Sequence, residues 1–215
     1  MTPSQAWAAL IAGNERFVAG TPRHPNQSVE HRSELASGQR PFATLFGCSD
    51  SRVAAEVIFD QGLGDLFVVR TAGHVTSPTE LGTLEFGVLV LDTPLIVVLG
   101  HDSCGAIKAA MSAYDEGTMP PGFLRDLVER VTPSVISAYR AGTRETEAVL
   151  TEHVRQTVTL IYERSAIIAE RVRQGQVAIV GLTYALAQGQ TSLVAQIGHL
   201  DPAKAPPFDR SGQSA

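Results

Sequence analysis

Leu95-Ile96-Val97-Val98-Leu99-Gly100-His101-Asp102-Ser103-Cys104-Gly105 joins an unbroken apolar run to a glycine, a histidine and a cysteine in close succession. A short run rich in β-branched residues, bounded by Pro94 and Gly100, reads as a strand buried on both faces, as parallel strands are. Cys104 to Ala113 then has helical character, with Gly105 allowing close approach at its start. Strand, polar loop and helix in that order form the repeating unit of a doubly wound α/β domain.

The rest of the chain repeats this grammar on both sides. Phe42 to Phe46 predicts a first strand, Asp65 to Arg70 a second and Ala178 to Leu182 a fourth. Helices are expected at Val53–Phe59 (a turn or two), Thr79–Leu91, Phe123–Ala141 and Glu145–Gln174, with a break at Pro133 and a linker at Gly142. Gly117 to Gly122 reads as a loop, and Gln188-Gly189-Gln190 as a turn into an added edge strand, Ser192–Ile197. Ahead of the sheet, Ser4–Ala19 reads as an amphipathic helix capped by Ser4, followed by a polar stretch to Gln27 and a short helix at Ser28–Ser37 that Gly38 ends. Trp7 and Phe17 on that arm need a covering surface, and a second subunit is the favoured one. Residues 202–215, rich in Pro, Gly and Ser, read as a flexible tail. The expected architecture is α/β: a mostly parallel four-stranded sheet with a C-terminal edge strand and helices on both faces. It forms a single domain over 1–215 with a helical arm at 1–27.

Composition removes several classes of function. A net charge of -5 argues against nucleic acid or an anionic membrane as the main partner. No apolar run reaches the roughly 18 residues of a membrane span. Met1 to Leu10 has neither the basic region nor the apolar core of a secretory leader, so a cytoplasmic protein is expected. Two cysteines in such a compartment point to metal or catalysis sooner than to a disulfide.

Those cysteines each follow a strand. Cys48 opens Cys48-Ser49-Asp50-Ser51-Arg52 after the first, and Cys104 lies three residues beyond His101 after the third. In parallel sheets ligands gather beyond the carboxyl ends of strands where strand order reverses. If these two strands are neighbours, both thiols and the imidazole converge there, which is the donor set zinc prefers. The plainer alternative is two buried cysteines acting as small hydrophobes, with His101 a loop residue. Asp50 and Arg52 have a plain alternative too, as an ion pair bracing their loop.

Cys48-Ser49-Asp50-Ser51-Arg52-Val53 together with Gly100-His101-x-x-Cys104-Gly105 resembles the paired signatures of the β-class carbonic anhydrases of bacteria, over about Trp7 to Tyr184. The resemblance implies one Zn2+ per subunit on Cys48, His101 and Cys104, and reversible hydration of CO2 to bicarbonate and a proton by attack of zinc-bound hydroxide. It implies a homodimer that can pair into a homotetramer, and a cytoplasmic location. Arg52 would hold Asp50 to accept a hydrogen bond from that hydroxide, and Asp50 would become a fourth zinc ligand in a closed state. Gln39, Phe67 and Phe86 match substrate-pocket positions, Gln39 often reaching in from the neighbouring subunit. Ordinary core is the alternative for both phenylalanines. Arg70 and Tyr184 match a second, non-catalytic bicarbonate site, but Leu45 stands where that site has a tryptophan, so it is expected to be absent or weak. His74 and His31 are candidate proton shuttles because histidine titrates near neutrality, and Asp102 and Ser103 could orient a ligand. Competing readings keep the same site for carbon disulfide or carbonyl sulfide, make it a non-enzymatic zinc module, or make the thiols a redox pair. The last lacks a Cys-x-x-Cys motif.

Overall fold

Residues 1–201 are described by a computed structural model, in which five strands form a single sheet in the order β2-β1-β3-β4-β5. β1 (Ala43–Cys48), β2 (Leu66–Thr71), β3 (Leu95–His101) and β4 (Ala178–Ala185) are parallel, and β5 (Gln190–Ile197) closes one edge antiparallel to β4. Every residue of β1 and β3 is buried, the physical reason their apolar runs are unbroken. The chain passes from β2 back across β1 to β3, so strand order reverses between β1 and β3, and the crevice expected of such sheets lies at their carboxyl ends.

Alternate side chains sort into two apolar layers. Phe46, Ile96, Val98 and Ile179 pack with α4 (Pro78–Leu89), α5 (Gly105–Glu116), α6 (Leu124–Arg140), α7 (Thr146–Arg164) and α8 (Ala166–Arg173). Leu45, Val97, Leu99, Val180 and Leu182 face α1 (Pro3–Val18) and α3 (Ala55–Ile58). A Cβ at Gly100 would sit 2.6 Å from Val154 and 2.8 Å from Leu150, so glycine here lets α7 lie against β3 just before the His101 ligand candidate. A short α2 (Val29–Glu34), capped by Ser28 and extended by a 3-10 turn at Leu35–Ser37, lies between the arm and β1.

The arm is covered by its own domain. Trp7 is 4% exposed and Leu10 fully buried on the α1–α3 side of the sheet, where a second subunit had been the favoured cover. Asn14 explains the docking. Its Nδ2 donates to the carbonyls of Ile58 (3.1 Å) and Gly189 (2.8 Å), and its Oδ1 accepts from the amide and hydroxyl of Thr191. Asp60 then ties down the segment after α1, accepting from Arg16 Nε and the amides of Arg23 and His24. Asn14→Ala orphans several buried groups at once, so unfolding in urea should show a loss of about 2–4 kcal/mol.

Several boundaries differ from expectation for visible reasons. Thr2, not Ser4, caps α1, in a reciprocal box with Gln5, while Ser4 Oγ accepts from the Asp201 amide. α6 continues through Pro133: the carbonyl that loses its donor is that of Glu129, on the exposed face open to solvent, while Val128, Val131 and Val135 stay buried. The helical break falls instead at Ser165, whose backbone is extended. Its hydroxyl donates to Glu85 (2.6 Å) and accepts from the Ile168 amide, capping α8. β1 and β3 also run further than their apolar runs, to Cys48 and His101.

Candidate metal centre

Register brings the donors together. Gly47 pairs with Leu99 across β1 and β3, so Cys48 and His101 leave adjacent strands at the same end, and Cys104 follows as the residue preceding α5. One ligating atom from each of Cys48, His101 and Cys104 lies within 4.8 Å of the others, and all three residues are buried. Zinc–sulfur and zinc–nitrogen bonds of about 2.0 to 2.3 Å fit a triangle of that size.

The histidine tautomer is set by its neighbours. Nδ1 lies 2.7 Å from the Asp102 carbonyl, which can only accept, so Nδ1 carries the proton and Nε2 presents a lone pair. Among the described residues that buried Nε2 has no hydrogen-bond partner, a costly arrangement unless a cation takes the lone pair. The Asp102 side chain itself turns away to accept from the Leu186 amide (3.0 Å), so Asp102 orients His101 through its backbone. Without metal the two sulfurs share one charge. Cys48 is drawn down by its hydrogen bond with Cys104, against its burial, with His101 and the Gly73 amide helping. Cys104 is pushed up by the Cys48 sulfur and by burial.

Beside the donors, Asp50 is gripped by Arg52 through three bonds: Nε and the backbone amide to Oδ1 (2.9 and 3.0 Å) and Nη2 to Oδ2 (2.7 Å). The guanidinium holds the Asp50 carboxyl well below the usual carboxylate range, against the opposing effect of burial. Oδ2 lies 3.8 Å from His101 Nε2, so the carboxylate overlooks the donor triangle. Arg70, from β2, fixes this loop by donating to the carbonyls of Cys48 (2.9 Å) and Asp50 (2.6 Å). Leu45 and Tyr184 are buried in the apolar layer on the α1 side.

Other candidates lie elsewhere. Phe67 pairs with Thr44 four positions back from Thr71, the partner of Cys48, so it sits roughly 13 Å down the strand from the donors. Its ring is 5.9 Å from that of Phe86, which is 44% exposed on α4, and Gln39 is exposed ahead of β1. These three do not meet the Cys48–His101–Cys104 cluster of their own chain. His31 bonds the Leu63 carbonyl through Nε2 (3.1 Å). His74 is fully buried, far from the solvent a shuttle must reach, and burial, with the neighbouring His153 and His101, drives its pKa well below the ordinary value.

Reading the sequence missed His153. On α7 it is 4% exposed, its ring centroid lies 4.5 Å from that of His74 at a tilt of 43°, and burial lowers its pKa to about 4. The unfolded chain takes up this proton near pH 6.5, whereas the folded chain refuses it until about pH 4. The contribution to stability is therefore whole above pH 6.5 and lost as pH falls. Metal-free protein should lose about 3 kcal/mol more between pH 6.5 and 4 than a His153→Gln variant, measured by urea unfolding.

The chain's similarity to known proteins agrees with this centre. The family model for carbonic anhydrase matches residues 43–191. Carbonic anhydrase 2 of Mycobacterium tuberculosis is 57% identical over 198 residues, covering 92% of this chain and 96% of that one. The carbonic anhydrase of Mycolicibacterium smegmatis is 55% identical with the same coverage. Among solved structures, the Coccomyxa β-carbonic anhydrase in complex with acetazolamide superimposes with a TM-score of 0.68 at 26% identity, over 77% of each chain. A single sheet whose β1–β3 crevice gathers Cys48, His101 and Cys104, and a match running from β1 into β5, lead to one assignment: the chain belongs to the carbonic anhydrase family, in its β class, and is an enzyme of that family.

Proposed function

We propose that the protein hydrates CO2 reversibly to bicarbonate and a proton in the cytoplasm, as a single domain with one Zn2+ per subunit held by Cys48, His101 and Cys104. The observation carrying this is the buried, unpartnered His101 Nε2 facing two free thiols within 4.8 Å. Bound zinc would supply Lewis acidity, making hydroxide available near neutral pH.

The chain's own residues account for the remaining work. Asp50, kept ionised by Arg52, offers only acceptor lone pairs, so it admits a nucleophile that still carries a proton and turns its free lone pair toward the carbon. Arg70 keeps the Cys48–Asp50 loop from shifting as charge redistributes. Two thiolates donate more charge than imidazoles, so the nucleophile's acidity falls short of that in a three-histidine site. A pH–rate profile with its inflection well below 7 would contradict this. The test of the function is a stopped-flow CO2 hydration assay on zinc-loaded protein beside a CS2 hydrolysis assay. Rapid CO2 turnover at one zinc per chain is expected, and turnover of CS2 alone would overturn the reading.

The substrate walls are proposed to come from a second copy. β2 is a sheet edge, and beside it α4 and the residue that ends it expose Phe86, Leu89 (51%) and Val90 (60%), an apolar surface of the kind that oligomers cover. A two-fold axis at that edge would lay β2 antiparallel to its copy. The Phe67 end of one strand would then lie beside the Cys48 end of the other, completing each pocket with Gln39, Phe67 and Phe86 from the partner. Pairing of such dimers would give the homotetramer. Phe86→Glu places a charge in this contact. Light scattering should then show monomer, with CO2 hydration lost roughly in proportion.

A further inference from the structure

The turn that follows β2 carries a second observation about the metal centre. Ala72–His74 form one 3-10 turn in which Gly73 (φ 65°) and His74 (φ 43°) are both left-handed. Gly73 adopts this region freely, but for His74 it is sparsely populated and persists only where the surroundings hold it. The turn has one visible output: the Gly73 amide donates to Cys48 Sγ at 3.3 Å. An alanine at Gly73 would bring its Cβ to 2.6 Å from that of Ala106, so the first turn of α5 confines this peptide on one side.

On the other side stands His153. Its Nε2 lies 2.9 Å from the Gly73 carbonyl, and because a carbonyl only accepts, Nε2 must carry the proton and donate. Nδ1 lies 3.0 Å from Ser134 Oγ, whose proton is shared with Gln156 Oε1 at 2.9 Å. His74 fills the space between, its ring 4.5 Å from His153 and 6.3 Å from Phe46. The chain of contacts from Ser134 through His153 and the backbone of Gly73 therefore ends on a sulfur of the donor triangle.

We propose that His153 is a positioning residue for the Cys48 ligand: by holding the Gly73 carbonyl it fixes the left-handed backbone of Gly73 and so keeps that residue's amide aimed at the sulfur. A hydrogen bond to a thiolate withdraws charge from it, so this contact offsets part of the electron donation that two sulfurs bring to the metal. Losing it leaves Cys48 less well aimed and its sulfur richer in charge. The inference rests on the zinc site proposed above.

The test compares two amides at the same buried position. In His153→Gln the amide nitrogen falls near Nε2 and still reaches the Gly73 carbonyl. In His153→Asn it falls near Nδ1 and does not. Zinc affinity is read by chelator competition, and the sulfur-to-metal charge-transfer band by absorption after cobalt(II) substitution. His153→Asn should bind zinc on the order of tenfold more weakly, as loss of a partner behind a ligand does, and should shift the cobalt band. His153→Gln should restore both. Ser134→Ala, which loosens the imidazole without removing it, should move both readouts the same way by a smaller amount. A folded His153→Asn with wild-type affinity and band overturns the proposal, and so do equal losses in the Asn and Gln variants, which would mean mere packing. If His153→Asn does not fold, an unchanged Ser134→Ala overturns it. Wild-type protein without zinc or a sulfur-to-cobalt band would instead fail the zinc site itself, and the inference with it.

Discussion

Cys48→Ala, His101→Ala and Cys104→Ala proteins are each expected to purify without stoichiometric zinc and to hydrate CO2 on the order of 10³-fold or more slower than wild type. The size follows from what the donors hold. Zinc lowers the pKa of water from 15.7 to roughly 7, and none of the surrounding residues can generate hydroxide at neutral pH unaided. Removing one of three donors would leave too few to keep the cation, and each of the three is buried. The folding cost is modest by comparison, because the metal-free wild type already holds both sulfurs and the imidazole together in the same buried space. Metal analysis and stopped-flow hydration check both halves. An alanine variant retaining one zinc per chain and near-normal turnover would remove that residue from the ligand set.

Asp50→Asn should separate catalysis from metal binding. Zinc stoichiometry should stay at the wild-type level while kcat/KM falls on the order of 10²-fold, the usual scale for losing a positioned proton acceptor. An amide has one acceptor oxygen and one donor nitrogen where the carboxylate has two acceptors. If the nitrogen takes the place of Oδ1, it meets the Arg52 Nε and backbone amide, which also only donate. If it takes the place of Oδ2, it meets Nη2 and presents protons toward the donor triangle where a lone pair is needed. Either orientation spoils one side of the residue. Arg52→Lys should produce a milder loss, because an ammonium supplies a point charge without the fork that pins both oxygens. A wild-type rate in Asp50→Asn would return the Asp50–Arg52 pair to loop bracing alone.

Much of this protein was legible in one dimension because its signals are local and strong. The doubly buried strands β1 and β3 need apolar side chains on both faces, so Leu95–Leu99 and Phe42–Phe46 stand out against any neighbour. Cys48, His101 and Cys104 were legible as a set because thiols are scarce here and both follow those strands. Asp50 and Arg52 are two residues apart, and the bond between them needs no distant element.

What the tertiary structure decided depends on contacts between residues far apart in the chain. Whether α1 covers its own sheet or another's hinged on Asn14, whose partners lie 44 and 175 residues away. Pro133 was tolerated and Ser165 was the break because exposure of one carbonyl and a bond to Glu85 settled the matter, and neither leaves a trace in periodicity. Phe67 was placed at the far end of β2 by register alone, with Phe86 of α4 against its ring. His153 is invisible in sequence, since a lone histidine on a helix announces nothing until the Gly73 carbonyl is found against it. The sequence by itself determined the sheet and the residues able to hold a metal, because burial on two faces and donor chemistry belong to each residue. Only the fold decided which of them face one another and what steadies them from behind, because a hydrogen bond across 80 residues exists only when packing closes the distance.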